Sequence, residues 1–512
     1  LLQLKLLQIH IYIYIYIFIH RYNLYSFEMG KIIDLEARQE LIFKVGEEPI
    51  KLELRRGLAE VYGTEMLANK TYTFPRNSKA AVFTYHGATI ELTGTPLKSH
   101  VSKSCDYMTC YLSIHRDLER MRDEAERSSE LINYSGMQQP NPNMLDRSPA
   151  DLAGDPQPQP SSSEAPCEDI AKVEFKPDLS KTPICFVCEP CDARNVGKST
   201  LCRILLSYAA RRGRAPIFVD LDPDQGHIGL PGTIGALSIE APIDIETGFQ
   251  LKSSLLMQFG HTSPSADTES KSDLYYKAIV ENLAKVVHSK LEQDKKSYYS
   301  GVIINSSSWT DSNDYKILVD ACKSFKANMV LVVDDEVLQD DLQKDLSDCP
   351  TPVKVINLPK TIEIYKTRAT ESVEMRYTRI KEYFYGTETE SFNPMTSEFE
   401  FSYIKRLIYR IGNPLILPDA LMPLGRKPQE KRTQVSHYDC KASDLLHHIL
   451  AISYCKLEDV LENPDCVLRT NIMGFICITS VRGDKVSILY PQKVPIDHVL
   501  LYSDIQYMDS LI

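Results

Sequence analysis

Residues 183–222 read PICFVCEPCDARNVGKSTLCRILLSYAARRGRAPIFVDLD, and the order of properties along this stretch decides the fold. An apolar run, Ile184–Val187, precedes Gly197-Lys198-Ser199-Thr200. Leu201, Ile204, Leu205 and Tyr208 then recur at helical spacing, and a second apolar run from Ile217 ends in Asp222. Strand, Gly-Lys-Ser-Thr, helix and strand in that order is the setting of a P-loop. In such a loop the amides at the helix start hold phosphate oxygens and the Lys198 ammonium neutralises the outer phosphates. A hydroxyl from Ser199 or Thr200 ligates Mg²⁺. Asp220 and Asp222 fall on one side of the second strand by its period of two. There a carboxylate holds the Mg²⁺ shell or takes a proton from an attacking hydroxyl. The bland alternative makes GKST a helix cap and VDLD a strand end; the acid-tipped strand after the helix tells against it. One spacing is irregular: a standard G-x-x-x-x-G-K-[ST] has Gly at 192, where this chain has Asp192, and Glu189 stands where the strand ends.

Outward from this stretch, GVIIN (301–305), NMVLVVDD (328–335) and VKVINL (353–358) repeat the short apolar strand between helical segments, which predicts a parallel α/β sheet. Upstream, ELIFKV, IKLELRRG, LAEVYG, AAVFTYHG, ATIELTG and YMTCYLSIH alternate with turn signals from Leu35 to His115, as in a small antiparallel sandwich or barrel. From Arg127 to about Ala171 the composition shifts to seven prolines between Pro140 and Pro166 with QPQP and SSS runs, and reads as a flexible linker. After Gly386 the texture is mixed, with GFICITSV and KVSILY. The expected architecture is therefore multidomain: a non-native or disordered leader over 1–28, an N-terminal β-sandwich-like domain over 29–126, and the linker over 127–171. A central α/β P-loop NTPase domain with a parallel sheet follows over 172–386, and a C-terminal α+β domain over 387–512.

The 512 residues agree with about three domains at roughly 150 residues each. With 58 Lys and Arg against 69 Asp and Glu the net charge is −11, so contact with a nucleic acid must come from local basic patches. Thirteen cysteines without framework spacing read as thiols of a reducing compartment. Ile11–Ile19 (IYIYIYIFI) lacks a small-residue cleavage site and is far shorter than the ~20 residues of a membrane span, so neither export nor a membrane anchor is expected. Cys185, Cys188 and Cys191 form C-x2-C-x2-C, but the fourth ligand position of an iron–sulfur run is Asn195, and residues 185 and 188 face opposite sides of a regular strand. Buried thiols are the better reading. His447 and His448 have no partners at metal-ligand spacing and are taken as helix residues, and the basic run at 425–432 as a solvated loop.

GKSTLCRILLSYAARRGRAPIFVDLDPDQGHIGLPGTIGALSIEAPIDIETGF, with QFGHTSP, GVIINSSSW and TRIKEYFYG, resembles the Clp-one family of polyribonucleotide 5′-hydroxyl kinases. The resemblance extends from Leu35 to the C-terminus apart from the linker. It implies a nuclear subunit of the pre-mRNA 3′-end cleavage and polyadenylation machinery that uses ATP and Mg²⁺, with RNA bearing a 5′-hydroxyl as substrate. Other cleavage-complex subunits would be its partners, and in animals the tRNA-splicing endonuclease. It further implies that Glu40 and Lys79 of the β domain contribute to adenine binding. Asn195, Val196, Gly197, Lys198, Ser199 and Thr200 would grip the phosphates, with Ser199, Thr200 and Asp222 around the metal. Asp222 would also stand near the 5′-hydroxyl. Trp309, the only tryptophan, would clamp an RNA base, with Gln225 beside the substrate. Arg376 and Arg379, with Arg368 as a third, would neutralise the transferring phosphoryl group from a lid.

The chain departs from the family at two points. The family loop reads G-P-T-D-V-G-K-S-T, whereas here its first glycine is Glu189 and three residues are inserted before Gly197. A carboxylate facing phosphate at about 4 Å costs roughly 1–4 kcal/mol, tenfold or more in nucleotide affinity. The lid has Ser372-Val373 where the family tends to pair arginines. Three readings follow: a working RNA 5′-hydroxyl kinase, a catalytically silent ATP-bound scaffold linking cleavage-factor subunits, and a related ribosomal-RNA-processing kinase. The compact N-terminal domain disfavours the third.

Overall fold

The computed structural model describes residues 30–103, 105–135, 177–191, 197–251, 253–264, 272–309, 312–360, 369–387, 390–412, 434–493 and 495–508. The leader at 1–28, the proline-rich stretch beyond 135 and the basic run at 425–432 lie outside the described residues.

Short strands between Lys31 and Val101 build two antiparallel sheets. One has the order Lys31–Leu35, Ala88–Thr93, Ile50–Gly57, Thr71–Phe74. The other runs Thr64–Glu65, Glu60–Val61, Lys79–Phe83, Glu40–Lys44, Lys98–Val101. Alternation in sequence becomes alternation of burial: Ile50, Leu52 and Leu54 point inward, Lys51 and Arg55 outward. Leu41, Phe43, Leu52, Val82 and Ile90 share the core of this sandwich.

One expected strand is a helix. YMTCYLSIH falls inside Asp106–Ser135, where Tyr107, Met108, Tyr111, Ile114 and Leu118 are buried at the three- and four-residue steps of a helical stripe. The helix also runs past the boundary expected at 126. It packs on the helix Lys198–Arg211 and buries Arg122, which donates to the Glu119 carboxylate at 2.6 Å and to the Ser300 carbonyl at 2.8 Å. The β domain is thereby tied to the central one.

The central sheet has the order Leu255–Gln258, Thr233–Ser238, Ile217–Asp220, Val302–Asn305, Ile184–Cys188, Met329–Val333, Lys354–Leu358. Its last five strands are parallel and are the five apolar runs visible in the sequence; the first two are antiparallel. Helices Asp106–Ser135 and Lys198–Arg211 cover one face, Ser272–Gln293 and Ser312–Ser324 the other. With both faces covered the strands need apolar side chains throughout, which is why they read as continuous runs. Cys185 and Cys188 do face opposite layers.

The C-terminal domain is a seven-stranded sheet in the order Met395–Glu400, Lys485–Tyr490, Ile472–Arg482, Ile449–Lys456, His498–Leu501, Ile408–Gly412, Gln434–His437. Helix Ala369–Tyr385 buries Ile380 and Phe384 among Phe475, Cys477 and Tyr507 of this domain, and the Tyr383 hydroxyl accepts from the Phe475 amide at 2.9 Å. His447 and His448 are not helical: His447 sits in a turn at φ 67°, and His448 bridges to Gln506. Among the described residues no helix is long and apolar enough to cross a membrane.

Candidate functional site

Strand Ile184–Cys188 ends at the mouth of a cleft of about 470 Å³, large enough for a nucleotide-sized ligand. Three parts of the chain wall it. The β domain contributes Lys44, Tyr62, Arg76 and Lys79. The P-loop region contributes Glu189, Gly197, Lys198, Ser199, Thr200 and Arg203. The loop after Ile217–Asp220 and helix Ala369–Tyr385 contribute Asp222, Gln225, His227, Met375 and Arg379.

Gly197 caps the helix Lys198–Arg211 at φ 101°, a left-handed conformation that suits glycine, and no side chain caps the first turn. The amides of Lys198, Ser199 and Thr200 therefore open the helix toward the cleft, where the dipole favours an anion. Asn195 and Val196 lie outside the described residues.

The ammonium of Lys198 is already engaged. It donates to the Ser306 carbonyl at 2.6 Å and to Glu189 Oε1 at 3.2 Å, with Asp222 Oδ2 at 3.8 Å. Burial alone would lower its pKa, but the Glu189 and Asp222 carboxylates outweigh that and hold it above the ordinary lysine value. Glu189 is itself pinned: its carboxylate accepts from the Ser308 hydroxyl at 2.6 Å and its backbone carbonyl from Trp309 Nε1 at 2.6 Å. The carboxylate that replaces the loop's first glycine thus occupies the lysine's hydrogen-bonding shell from inside the protein.

The two aspartates differ. Burial pushes Asp220 up, but His227 Nδ1 at 3.1 Å and the Asn305 amide at 2.8 Å from its oxygens more than offset this, leaving it below the usual carboxylate range. Asp222 is pushed up to about 6, chiefly by burial and further by the Asp220 charge, with Lys198 pulling the other way. Two carboxylates in one site with displaced proton affinities suit one for charge holding and the other for proton acceptance.

Beyond Asp222, Gln225 lines the cleft and its amide donates to Asp224 at 3.1 Å. Arg376 forms an ion pair with the same Asp224. Arg379 lines the cleft and donates to the His227 carbonyl at 3.0 Å and the Gly226 carbonyl at 3.3 Å. Gly226 is required here, since φ is 62° and a Cβ would sit 2.7 Å from the Leu230 backbone. The lid arginines are thus joined to the turn after Asp222, while Arg368 lies outside the described residues.

Two expected site residues, Glu40 and Trp309, are not among those that line the cleft. Glu40 does not line the cleft; its carboxylate is buried and receives the Tyr107 hydroxyl, and burial raises its pKa. The cleft residue on that strand is Lys44, paired in register with Lys79 on the neighbouring strand. Trp309 is half-buried, tilted against Tyr315 at 5.7 Å and bonded to the Glu189 carbonyl, so its indole braces the loop next to cleft-lining Ser308. Sequence reading also missed Tyr62, Arg203 and His227, whose only signal is proximity to the motif.

Cys185 and Cys188 are buried thiols pushed up to about 12 by burial, and among the described residues no cluster of three or more His, Cys, Asp or Glu side chains is placed to hold a metal. A Mg²⁺ ion needs less, because it keeps waters and ligand phosphates in its shell. The hard oxygen donors of Ser199, Thr200 and Asp222 line one cleft and fit that requirement.

The fold and the site together define a P-loop nucleotide-binding protein whose cleft is closed by an N-terminal β-sandwich. Comparison with known proteins narrows this. Residues 34–125 match the N-terminal beta-sandwich domain of polyadenylation factor, 192–386 the P-loop of mRNA cleavage and polyadenylation factor CLP1, and 392–509 the pre-mRNA cleavage complex II protein Clp1. A CLP1 homolog of Aedes aegypti is 36% identical over 481 residues, 93% of this chain and 97% of that protein. The polyribonucleotide 5′-hydroxyl-kinase Clp1 of Gallus gallus is 34% identical over 480 residues, 93% of this chain and 96% of that protein. The chain belongs to the Clp1 family. A solved Clp1p–Pcf11p complex has the same fold, with a TM-score of 0.68 at 17% identity over 94% of this chain and 99% of that one.

Proposed function

We propose that this chain is an ATP- and Mg²⁺-binding, RNA 5′-hydroxyl kinase-like subunit of the nuclear pre-mRNA 3′-end cleavage and polyadenylation machinery. Other cleavage-factor subunits are its partners, as Pcf11p is for the structural neighbour, and the tRNA-splicing endonuclease is a second assembly of the same chemistry. The observation that carries the reading is the convergence of Lys198, the hydroxyls of Ser199 and Thr200, and Asp222 on one cleft at the end of the parallel sheet.

Within this reading ATP lies with its phosphates on the helix start and its base toward Lys79 and Lys44. Mg²⁺ would be held by Ser199, Thr200 and Asp222 and would supply charge neutralisation at the phosphates. Asp222, ionised above pH 6, accepts the proton of the RNA 5′-hydroxyl as the O5′–Pγ bond forms and the bond from Pγ to the bridging oxygen of ADP breaks. Lys198 and Arg379 face the charge that develops, with Arg376 holding the Asp224 turn in place. Gln225 and Trp309 are the RNA-side residues. Asp220, kept ionised by His227 and Asn305, fixes the local field rather than moving a proton.

A second reading, an ATP-bound scaffold whose transfer chemistry is silent, is favoured by the Glu189 carboxylate on Lys198. The discriminating experiment is single-turnover transfer of labelled γ-phosphate from ATP to a 5′-hydroxyl oligoribonucleotide, beside Lys198→Ala. Label with wild type alone supports the kinase. Mg²⁺-dependent ATP binding without label supports the scaffold, and no binding refutes both.

A further inference from the structure

Arg203 sits on the P-loop helix one turn beyond Thr200 and lines the cleft. Its Nε is buried and has no hydrogen-bond partner, and among the described residues no carboxylate is within ion-pair reach of its guanidinium. Other arginines packed into this chain are compensated: Arg122 by Glu119, Arg214 by Glu119, Asp123 and Glu126, Arg376 by Asp224. Around Arg203 there are instead aromatic rings, Tyr62 at 5.0 Å and Phe249 at 5.5 Å from Cζ. Its charge is disfavoured there, first by burial and also by Arg379, so its pKa is lowered.

Tyr62 is delivered by a tight hairpin of the β domain, with φ of 50° at Tyr62 and 78° at Gly63. Positive φ at both central positions fits a type I′ turn, but is unusual for a bulky aromatic. The turn is docked on the P-loop helix: a Cβ on Gly63 would lie 2.9 Å from the Ile204 carbonyl, and the Thr64 hydroxyl donates to the Ile243 carbonyl at 2.8 Å. The Tyr62 hydroxyl donates to the Lys79 carbonyl at 2.8 Å, so the same ring is linked to the cleft strand of the β domain.

We propose that Arg203, held in a Tyr62 stack across the domain boundary, is a nucleotide-positioning residue that takes the phosphate next to the nucleoside. A half-buried guanidinium with no carboxylate beside it gains most when an anion arrives. Between the Lys198 end of the cleft and the Lys44–Lys79 end such a ligand passes its innermost phosphate and its ribose, and of the two only the phosphate is charged. The inference rests on the ATP site proposed above and adds a residue and an interdomain coupling to it: the β domain senses the nucleotide through Tyr62.

The test uses the full chain with Mg²⁺. Arg203→Met weakens ATP and ADP at least tenfold and leaves adenosine binding within twofold of wild type. The same substitution raises the ligand-free melting temperature, because it removes an unpaired, half-buried charge, whereas loss of a merely structural arginine would lower it. Tyr62→Leu weakens ATP several-fold with no charge removed, and Arg203→Lys falls between wild type and Arg203→Met. ATP affinity of Arg203→Met within twofold of wild type, while Lys198→Ala has lost binding, overturns this inference and leaves the site standing. A wild-type chain that binds no ATP overturns both.

Discussion

Replacing Glu189 tests the most unusual feature of the cleft. Its carboxylate lies 3.2 Å from Lys198 Nζ in a pair whose side chains are each 4% exposed. At an effective dielectric of about 20 that attraction is about 5 kcal/mol. An incoming phosphate can recover much of it, but only if Glu189 leaves or tolerates the new charge. If the carboxylate stays, repulsion at about 4 Å is about 4 kcal/mol at the same dielectric. If it turns away, it forfeits the 2.6 Å bond from the Ser308 hydroxyl, a charge-assisted interaction of about 1.5–3 kcal/mol. The cheaper route sets the expectation: nucleotide affinity is depressed about 10- to 150-fold. Glu189→Gln, which keeps the shape, and Glu189→Gly, which restores the residue usual in the family, should therefore tighten MgATP by at least tenfold in isothermal titration, with the glycine variant the tighter. Dissociation constants for both variants within threefold of wild type would show that Glu189 does not guard the phosphate site, and the reasoning fails there.

Lys198→Ala leaves Glu189 and Asp222 buried without their cation, so urea unfolding should show a loss of about 3–5 kcal/mol; adding Glu189→Gln should recover part of it, and strict additivity would argue against the pair. Asp222 keeps its proton in the folded chain up to about pH 6, against 3.8 in its ordinary state, so its contribution favours the fold below that ordinary value and is lost as pH rises through 6. Asp222→Asn should accordingly abolish label transfer yet stabilise the chain at pH 7.5 by up to about 3 kcal/mol; melting curves across pH 4–8 check that the gain fades toward acid. Glu40→Gln should leave ATP affinity within twofold, because that carboxylate faces Tyr107 rather than the cleft, whereas Lys44→Ala should weaken it several-fold in the same titration.

Much of the architecture was legible because the strands that carry the site are buried on both faces. Ile184–Cys188, Ile217–Asp220 and Val302–Asn305 have no polar side to confuse the pattern, so short apolar runs between helical stretches suffice. Thr233–Ser238 was not read as a strand because it sits within a glycine-punctuated run. The helix Asp106–Ser135 was misread for a different reason. Its Tyr107, Met108, Tyr111 and Ile114 are close enough in sequence to look like one apolar run, and the helical period emerges only when Leu118 and Arg122 are included. That helix also has no proline or glycine to announce its start, and it extends into residues whose composition resembles the linker.

The site was legible where chemistry is local and illegible where it is assembled. Gly197 to Thr200 and Asp220 to Gln225 are contiguous and carry their own spacing, and the first run lines one cleft with Asp222, Asp224 and Gln225 of the second. The choice between Glu40 and Lys44 depends on which way a four-residue step of one strand meets the P-loop helix, and no property of either residue encodes that. The Glu189 case goes further. In sequence it is a charge that repels phosphate; in the structure it is first a partner that satisfies Lys198, with Ser308 and Trp309 holding it there. A carboxylate that merely repelled would be expelled to solvent at little cost. One bonded at its side chain and at its backbone must be displaced, and in the proposed pose that displacement is repaid only by a ligand whose outer phosphates reach Lys198. The same wall that weakens binding therefore also selects, favouring polyphosphates over monophosphates by more than the P-loop amides would on their own, and Glu189→Gly should narrow the ratio of AMP to ATP affinity as it tightens both.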